Sequence, residues 1–245
     1  MDGRSIFWEV HEGLPQQAPG SADTTRHLLS CCGPLPTSPA VADLGCGPGR
    51  STLVLAEALP RASVTSVDLH QPFLDDLAVA ASAAGVADRI ECVRASMADL
   101  PFDDAAFDLI WSEGSIYLIG AEAGLRAWRR LLRPGGLVVI TEATWFTDSP
   151  SPAATAFWAD YPAMTNEDGN RRLAESAGYE VLDTYRLPAS DWAAYYDPIA
   201  ERLRAYDTSD PDVAAGVAAE WVELDLYRDH GDEYGYTGYV LRRSD

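Results

Sequence analysis

From about Ala40 onward, short apolar runs bounded by glycine, proline or charge alternate with longer segments whose apolar positions recur every three or four residues. The runs predict strands near 40–44, 63–68, 89–94, 107–111 and 136–142. The segments between them predict helices near 50–59, 72–84 and 121–132. The block Asp148-Ser-Pro-Ser-Pro152 interrupts the rhythm. Beyond it, helices are expected over 153–161 and 167–177, then a sixth strand at 179–186. Trp192, Tyr195, Tyr196 and Ile199 recur at one-turn spacing, so residues 190–229 read as helical. Residues 234–242 alternate aromatic and small positions, as a closing strand does. This alternation implies right-handed crossovers and a mostly parallel sheet with helices on both faces. Residues 1–36 do not share it.

The first predicted strand runs straight into a glycine-rich turn, Asp43-Leu-Gly-Cys-Gly-Pro-Gly49, and the second ends in an acid, Asp68. That pairing suits an adenosine-bearing cofactor: backbone that a ligand can approach closely, then a carboxylate for ribose hydroxyls. A dinucleotide fingerprint needs its third glycine at position 50, which is Arg50. D-x-G-x-G-x-G instead resembles motif I of the class I S-adenosylmethionine-dependent methyltransferases. Asp99-Leu-Pro-Phe102, Phe107-Asp-Leu-Ile-Trp111 and Leu131-Leu-Arg-Pro-Gly-Gly136 resemble further motifs of that family, in the same order. The resemblance spans Val41 to Glu142.

It implies a Rossmann-like fold with seven strands, the last antiparallel between strands five and six. An N-terminal cap is expected over 1–36 and a methyltransferase domain over 37–245. Within that domain lie a cofactor-binding core at 40–145 and an acceptor-side helical insertion at about 187–230. The implied cofactor is S-adenosylmethionine, leaving as S-adenosylhomocysteine, and the implied acceptor is a small molecule methylated on O or N. Two alternatives remain: a protein that binds the cofactor without transfer, and an NAD-dependent oxidoreductase. Arg50 and the absence of any Tyr-x-x-x-Lys pair weigh against the last.

The resemblance also distributes roles. Gly45, Cys46 and Gly47 would lie against the methionine portion and ribose, where any larger side chain intrudes. Asp43 would anchor either the loop or the cofactor's ammonium, and the Ser112 carbonyl would receive that ammonium. Asp68 would clamp the ribose, and Leu69 would border the adenine. Ser96-Met97 stands where the family usually carries an acid–aliphatic pair, so Met97 backbone and packing are expected to carry adenine recognition. Asp99 reads as a turn cap. Glu113 and Tyr117 are four apart, so one helical turn would set both on one face; an exposed Glu and a core Tyr are the alternative. Glu142, Trp145 and Phe146 form a second candidate wall. Glu113, Glu142 and His11 are the candidate bases, with no choice among them, and an amine acceptor needs no base at all.

Composition narrows the picture. All 18 basic residues are Arg, and the net charge is −20. That balance argues against nucleic acid or an anionic membrane as partner. The absence of Lys removes P-loop and pyridoxal-phosphate chemistry. The four His are scattered and no Cys-x-x-Cys occurs, so no metal site is expected. Cys31-Cys32 reads as a helix end of small buried residues. Asp2, Glu9 and Glu12 interrupt the N-terminus, and no run approaches the roughly 18 apolar residues of a membrane span. A cytoplasmic protein is the expectation; oligomeric state is not legible, a homodimer being one option. The arm at 1–36 reads either as a packing element with buried aromatics or as a lid over the site. Relatives sharing Ser112-Glu-Gly-Ser-Ile-Tyr117 and Tyr234-Gly-Tyr236 carry a similar Gly-Leu-Pro arm, which favours the lid.

Overall fold

Apolar side chains fill both faces of the central strands, and their period of two decides which layer each one enters. In β4, Ile110 joins one core while Leu109 and Trp111 join the other. In β5, Val138 and Ile140 join the first, and Leu137 and Val139 the second. A sheet buried on both faces needs helices on both, and the structure supplies them.

The structure is a computed structural model that describes residues 3–245. Asp2 lies outside the described residues. Two helices, α1 (Gly3–His11) and α2 (Ala22–Cys31), precede β1 (Ala40–Leu44). Then follow α3 (Arg50–Ala58), β2 (Ser63–Asp68), α4 (Gln71–Ala83), β3 (Ile90–Arg94), β4 (Phe107–Ser112), α5 (Ala121–Trp128) and β5 (Leu132–Trp145). The second half comprises α6 (Pro152–Phe157), β6 (Thr165–Asn166), α7 (Glu167–Ser176), β7 (Tyr179–Arg186), α8 (Ala189–Arg204), α9 (Pro211–His230) and β8 (Tyr234–Arg243).

The sheet order is β3-β2-β1-β4-β5-β8-β7, with β1 to β5 parallel and β8 antiparallel between β5 and β7. The order reverses between β1 and β4, and open α/β sheets bind ligands at the strand carboxyl ends of such a point.

Three expectations change. The helix expected over 121–132 stops at Trp128, and a 3₁₀ turn over Arg129–Leu131 feeds β5 directly. The helical stretch 190–229 divides into α8 and α9, because Asp210 caps α9 by accepting from the Asp212 and Val213 amides. The sheet has an eighth member, β6, whose two residues pair with Thr144 and Trp145.

The arm does not bury its aromatics. Phe7 and Trp8 are about two-fifths exposed, at 41% and 42%. Ile6, Val10 and Leu14 are among its buried apolar residues before α2, packed with α8, α9, Ala143 of β5 and the start of β8 in a core distinct from the two that flank the central strands. Cys32 is buried at the end of α2, whereas Cys31 is only half-buried. Among the described residues no helix is long and apolar enough to cross a membrane.

Candidate active site

The turn after β1 is built to come close to a ligand. The Gly45 and Cys46 amides donate to the Val67 carbonyl at 2.8 and 3.0 Å, folding the loop over β2. Gly45 has φ +71°, and a Cβ there would collide with Ser115. Gly47 has φ +54°, and a Cβ there would meet only Gln17 Cγ at 3.8 Å, so it faces open space. The Gly47 amide donates to Asp68 Oδ2 at 2.9 Å, and the His70 amide to Oδ1 at 2.8 Å. Two backbone donors thus aim the Asp68 carboxylate, and each oxygen keeps a lone pair for a hydroxyl.

A cavity of about 450 Å³ opens at these carboxyl ends. Its floor includes Asp43, Gly45, Cys46 and Gly47, and its sides Asp68, Leu69, Ser96 and Met97. Glu113 and Tyr117 line it from the segment after β4, and Gln16, Gln17 and Ala18 from the arm. The site residues expected from the first three strands therefore converge. The volume falls within the roughly 300–1,000 Å³ of small-molecule sites. Glycine cradle, aimed carboxylate and volume together fit an adenosine-bearing cofactor.

Asp43 is buried and accepts from Thr52 Oγ1 at 2.6 Å, while Thr52 contacts Ser66 Oγ at 3.0 Å. Burial pushes its carboxyl up to about 7, against the opposing pull of the Thr52 hydroxyl. Cys46 lies in the turn with its thiol donating to the Gly47 carbonyl, and burial pushes that thiol up.

Other expected members are placed differently. Glu113 and Tyr117 do not share a helical turn, because only a 3₁₀ turn, Ile116–Leu118, follows β4. Tyr117 faces the cavity. Glu113 turns to Arg50: its Oε2 accepts from Arg50 Nη2 at 2.6 Å. Its Oε1 accepts from Thr25 Oγ1 at 2.6 Å and Trp111 Nε1 at 2.8 Å. Both oxygens are committed, so the carboxylate is a clamp holding α2 against the sheet.

Ser112 is buried, and its hydroxyl contacts Ser115 Oγ at 2.8 Å. Ser115, which sequence reasoning passed over, lines the cavity and donates to the Leu44 carbonyl at 3.0 Å. The Met97 carbonyl accepts from Trp128 Nε1 at 2.9 Å, so that backbone oxygen already has a partner and Met97 meets the cavity by packing. The Asp99 amide closes a turn on the Ser96 carbonyl at 3.1 Å. Strand alternation sends Trp145 to the face opposite Glu142. Phe146 lies under the Arg186 guanidinium, 3.4 Å from its ring centroid, in a separate surface cleft.

His11 is buried; Nδ1 lies 2.8 Å from the Phe7 carbonyl and donates to it, leaving Nε2 to accept from Tyr195 at 3.2 Å. Burial lowers its pKa and keeps it neutral. Glu142 is also buried, with Oε1 accepting from the Ala143 amide at 3.0 Å and Oε2 unpartnered. Burial pushes its carboxyl up to about 7; the Tyr161 phenol beside it opposes that shift without closing a hydrogen bond to Oε2.

A second cavity of about 170 Å³ adjoins the first, and Gln17, Ala18 and Tyr117 line both. Sequence reasoning missed Glu220 and Glu223 of its wall, because acids on a long helix read as a solvated face. Among the described residues no group of three or more His, Cys, Asp or Glu gathers in a way that would hold a metal.

Comparisons with known proteins agree with this geometry. Residues 41–136 match the family described as "Methyltransferase domain". The trans-aconitate 2-methyltransferase of Streptomyces avermitilis is 32% identical over 197 residues, which is 77% of this chain and 72% of that protein. The sarcosine/dimethylglycine N-methyltransferase of Halorhodospira halochloris is 27% identical over 252 residues, covering 96% and 87%. A solved S-adenosylmethionine-dependent methyltransferase from Geobacter sulfurreducens, in complex with S-adenosyl-L-homocysteine, shares the fold with TM-score 0.83. It is 21% identical and covers 97% of both chains. A [4+2]-cyclase shares the fold as well, with TM-score 0.75 and 20% identity over 98% of this chain and 93% of that one. The chain belongs to the class I S-adenosylmethionine-dependent methyltransferases, and its cofactor is S-adenosylmethionine. Its class of acceptor is a small molecule.

Proposed function

We propose that this enzyme methylates O or N of a small acceptor held in the 170 Å³ cavity, with the cofactor in the larger one. The observation that carries this reading is that the two spaces are neighbours, sharing Tyr117, Gln17 and Ala18 in their walls. When bound, the cofactor supplies an activated methyl on a sulfonium, so the protein's work is alignment and exclusion of water. Asp68 takes the ribose hydroxyls, Gly45 and Gly47 admit the ribose and methionine portion, and Ser96, Met97 and Leu69 border the adenine. Asp43 acts mainly through Thr52, holding the turn in place. The arm at 1–36 is the lid, since Gln17 and Ala18 line both spaces and Gln16 the larger one.

Because the same fold serves a cyclase, binding and turnover have to be measured separately. Calorimetry should show S-adenosylhomocysteine binding at micromolar concentrations. Asp68→Ala and Gly47→Val should each weaken it at least tenfold, the second because Val at φ +54° is strained and projects into the cavity. Release of S-adenosylhomocysteine should then appear with a member of a small-molecule acceptor panel. Tight NADH binding in its place would contradict the reading.

A further inference from the structure

We propose that the acceptor is a small amine, cationic in water, received in a tyrosine-lined cage with Glu223 as its ion-pair partner. This rests on the methyl-transfer reading above and assigns its substrate class. The cage is the second cavity: the aromatic residues Phe7, Tyr117, Tyr195, Tyr196 and Tyr236 line it, and Glu220 and Glu223 complete the wall from α9. Aromatic faces attract ammonium groups, most strongly where water is excluded. At about 170 Å³ the space is below that of drug-sized ligand sites, so the group it takes is small.

The charges of the lining have one sign. Among the described residues no Arg lines the cavity, and His11 is committed to the Phe7 carbonyl and the Tyr195 hydroxyl as a neutral ring. Glu223 accepts from the Tyr196 hydroxyl through Oε1 at 2.7 Å, and among the described residues Oε2 accepts no hydrogen bond. Glu223 is exposed and open to the cavity, and desolvation by the protein around it pushes its carboxyl above the usual range. A second carboxylate stands behind the cage: Glu142, with its buried and unpartnered Oε2, acts electrostatically on Tyr117 and Tyr236. An anionic acceptor would meet repulsion from Glu220 and Glu223, while a cation satisfies them.

The chemistry balances for such an acceptor. The ammonium gives one proton to Glu223 Oε2. The freed nitrogen lone pair forms the N–C bond as the methyl's S–C bond breaks, and that electron pair stays on sulfur. Positive charge thereby moves from sulfur to nitrogen, into the field of the carboxylates and rings, and the product leaves as a methylated ammonium.

The probe is tetramethylammonium, with tert-butanol as its uncharged counterpart, titrated calorimetrically into the complex with S-adenosylhomocysteine. The cation should bind at least tenfold more tightly than the alcohol, and Glu223→Gln should erase most of that preference while leaving S-adenosylhomocysteine affinity unchanged. Glu220→Gln provides a second variant should the first fold poorly, and the wild-type comparison depends on neither. In turnover, secondary or tertiary amines should yield N-methylated product by mass spectrometry. Equal binding of cation and alcohol overturns the amine assignment, as does turnover confined to carboxylate or hydroxyl acceptors; the latter leaves methyl transfer standing. Failure of the wild-type protein to bind S-adenosylhomocysteine would remove the methyl-transfer reading itself.

Discussion

Two buried carboxyls, Asp43 and Glu142, show how strongly single environments depart from what residue type suggests. Each is pushed up to about 7 by burial, so each reaches neutral pH only partly ionised. Asp43 has a hydroxyl donor in Thr52, whereas Glu142 has a backbone amide on one oxygen and nothing on the other. The folded chain therefore keeps a proton on Glu142 that the unfolded chain releases near its ordinary value of 4.5. Between that value and about 7 the folded state binds more protons, so stability falls as pH rises through the window. At about 1.4 kcal/mol per tenfold in proton affinity, the loss for this group is on the order of 3 kcal/mol. Glu142→Gln should remove it. Urea unfolding of the variant should show a flatter stability profile between pH 4.5 and 7.5, and higher stability than wild type at pH 8. A profile unchanged by the substitution would mean that Glu142 ionises normally in the folded chain.

The second helix of the arm, α2, depends on one cluster. Glu113 receives Arg50, Thr25 and Trp111 together, and Thr24 of the same helix donates to the buried Asp191 of α8 at 2.6 Å. Both partners of the Arg50–Glu113 pair are withdrawn from solvent, their side chains 15% and 3% exposed. Breaking such a pair on one side strands a charge and costs about 3–5 kcal/mol, far more than an exposed pair is worth. Glu113→Ala should lower unfolding free energy by that amount and raise hydrogen-exchange rates across α2. A base at this position would instead cost turnover and leave stability nearly untouched.

Nothing in the sequence disclosed that clamp. The strand positions, the glycine turn and Asp68 were legible because each rests on local rules: apolar runs, a glycine-rich turn, an acid at a strand end; the place of the last strand in the sheet came only with the family resemblance. The partners that hold Glu113 were hidden because Thr25 and Arg50 come from α2 and α3, far away in the chain. Arg50 was read only as an obstacle to a dinucleotide motif, although its position one residue after Gly49 is what directs it toward Glu113. The acids of α9 were invisible for a similar reason, since periodicity cannot distinguish a face turned to water from one turned to a cavity. The extra strand β6 left no periodic trace because it has two residues.

At the scale of the whole molecule, charge dominates. With 38 acidic residues against 18 Arg, a net charge of −20 is left that no arrangement of the arginines can neutralise. A field of this sign gathers cations and repels anions, which agrees with a cage for an ammonium group and adds nothing to its shape. It also sets two opposing salt effects. Screening weakens exposed ion pairs such as Arg126–Glu122 and Arg228–Asp225, but each of these contributes at most about 1 kcal/mol. Screening also relieves the mutual repulsion of the excess carboxylates. That repulsion acts over the Debye length of about 30 Å at 0.01 M salt and fades as the length falls below about 10 Å. The buried Arg50–Glu113 pair is largely insulated from either effect. Repulsion involves many more charges than pairing does, so its relief should win. Raising sodium chloride from about 0.01 M to 0.5 M should then raise the melting temperature by roughly 2–4 °C, the equivalent of about 1 kcal/mol for a chain of this size. Thermal melts followed by circular dichroism measure it directly. A fall in melting temperature would mean that the surface pairs, few and exposed as they are, outweigh the excess of acid.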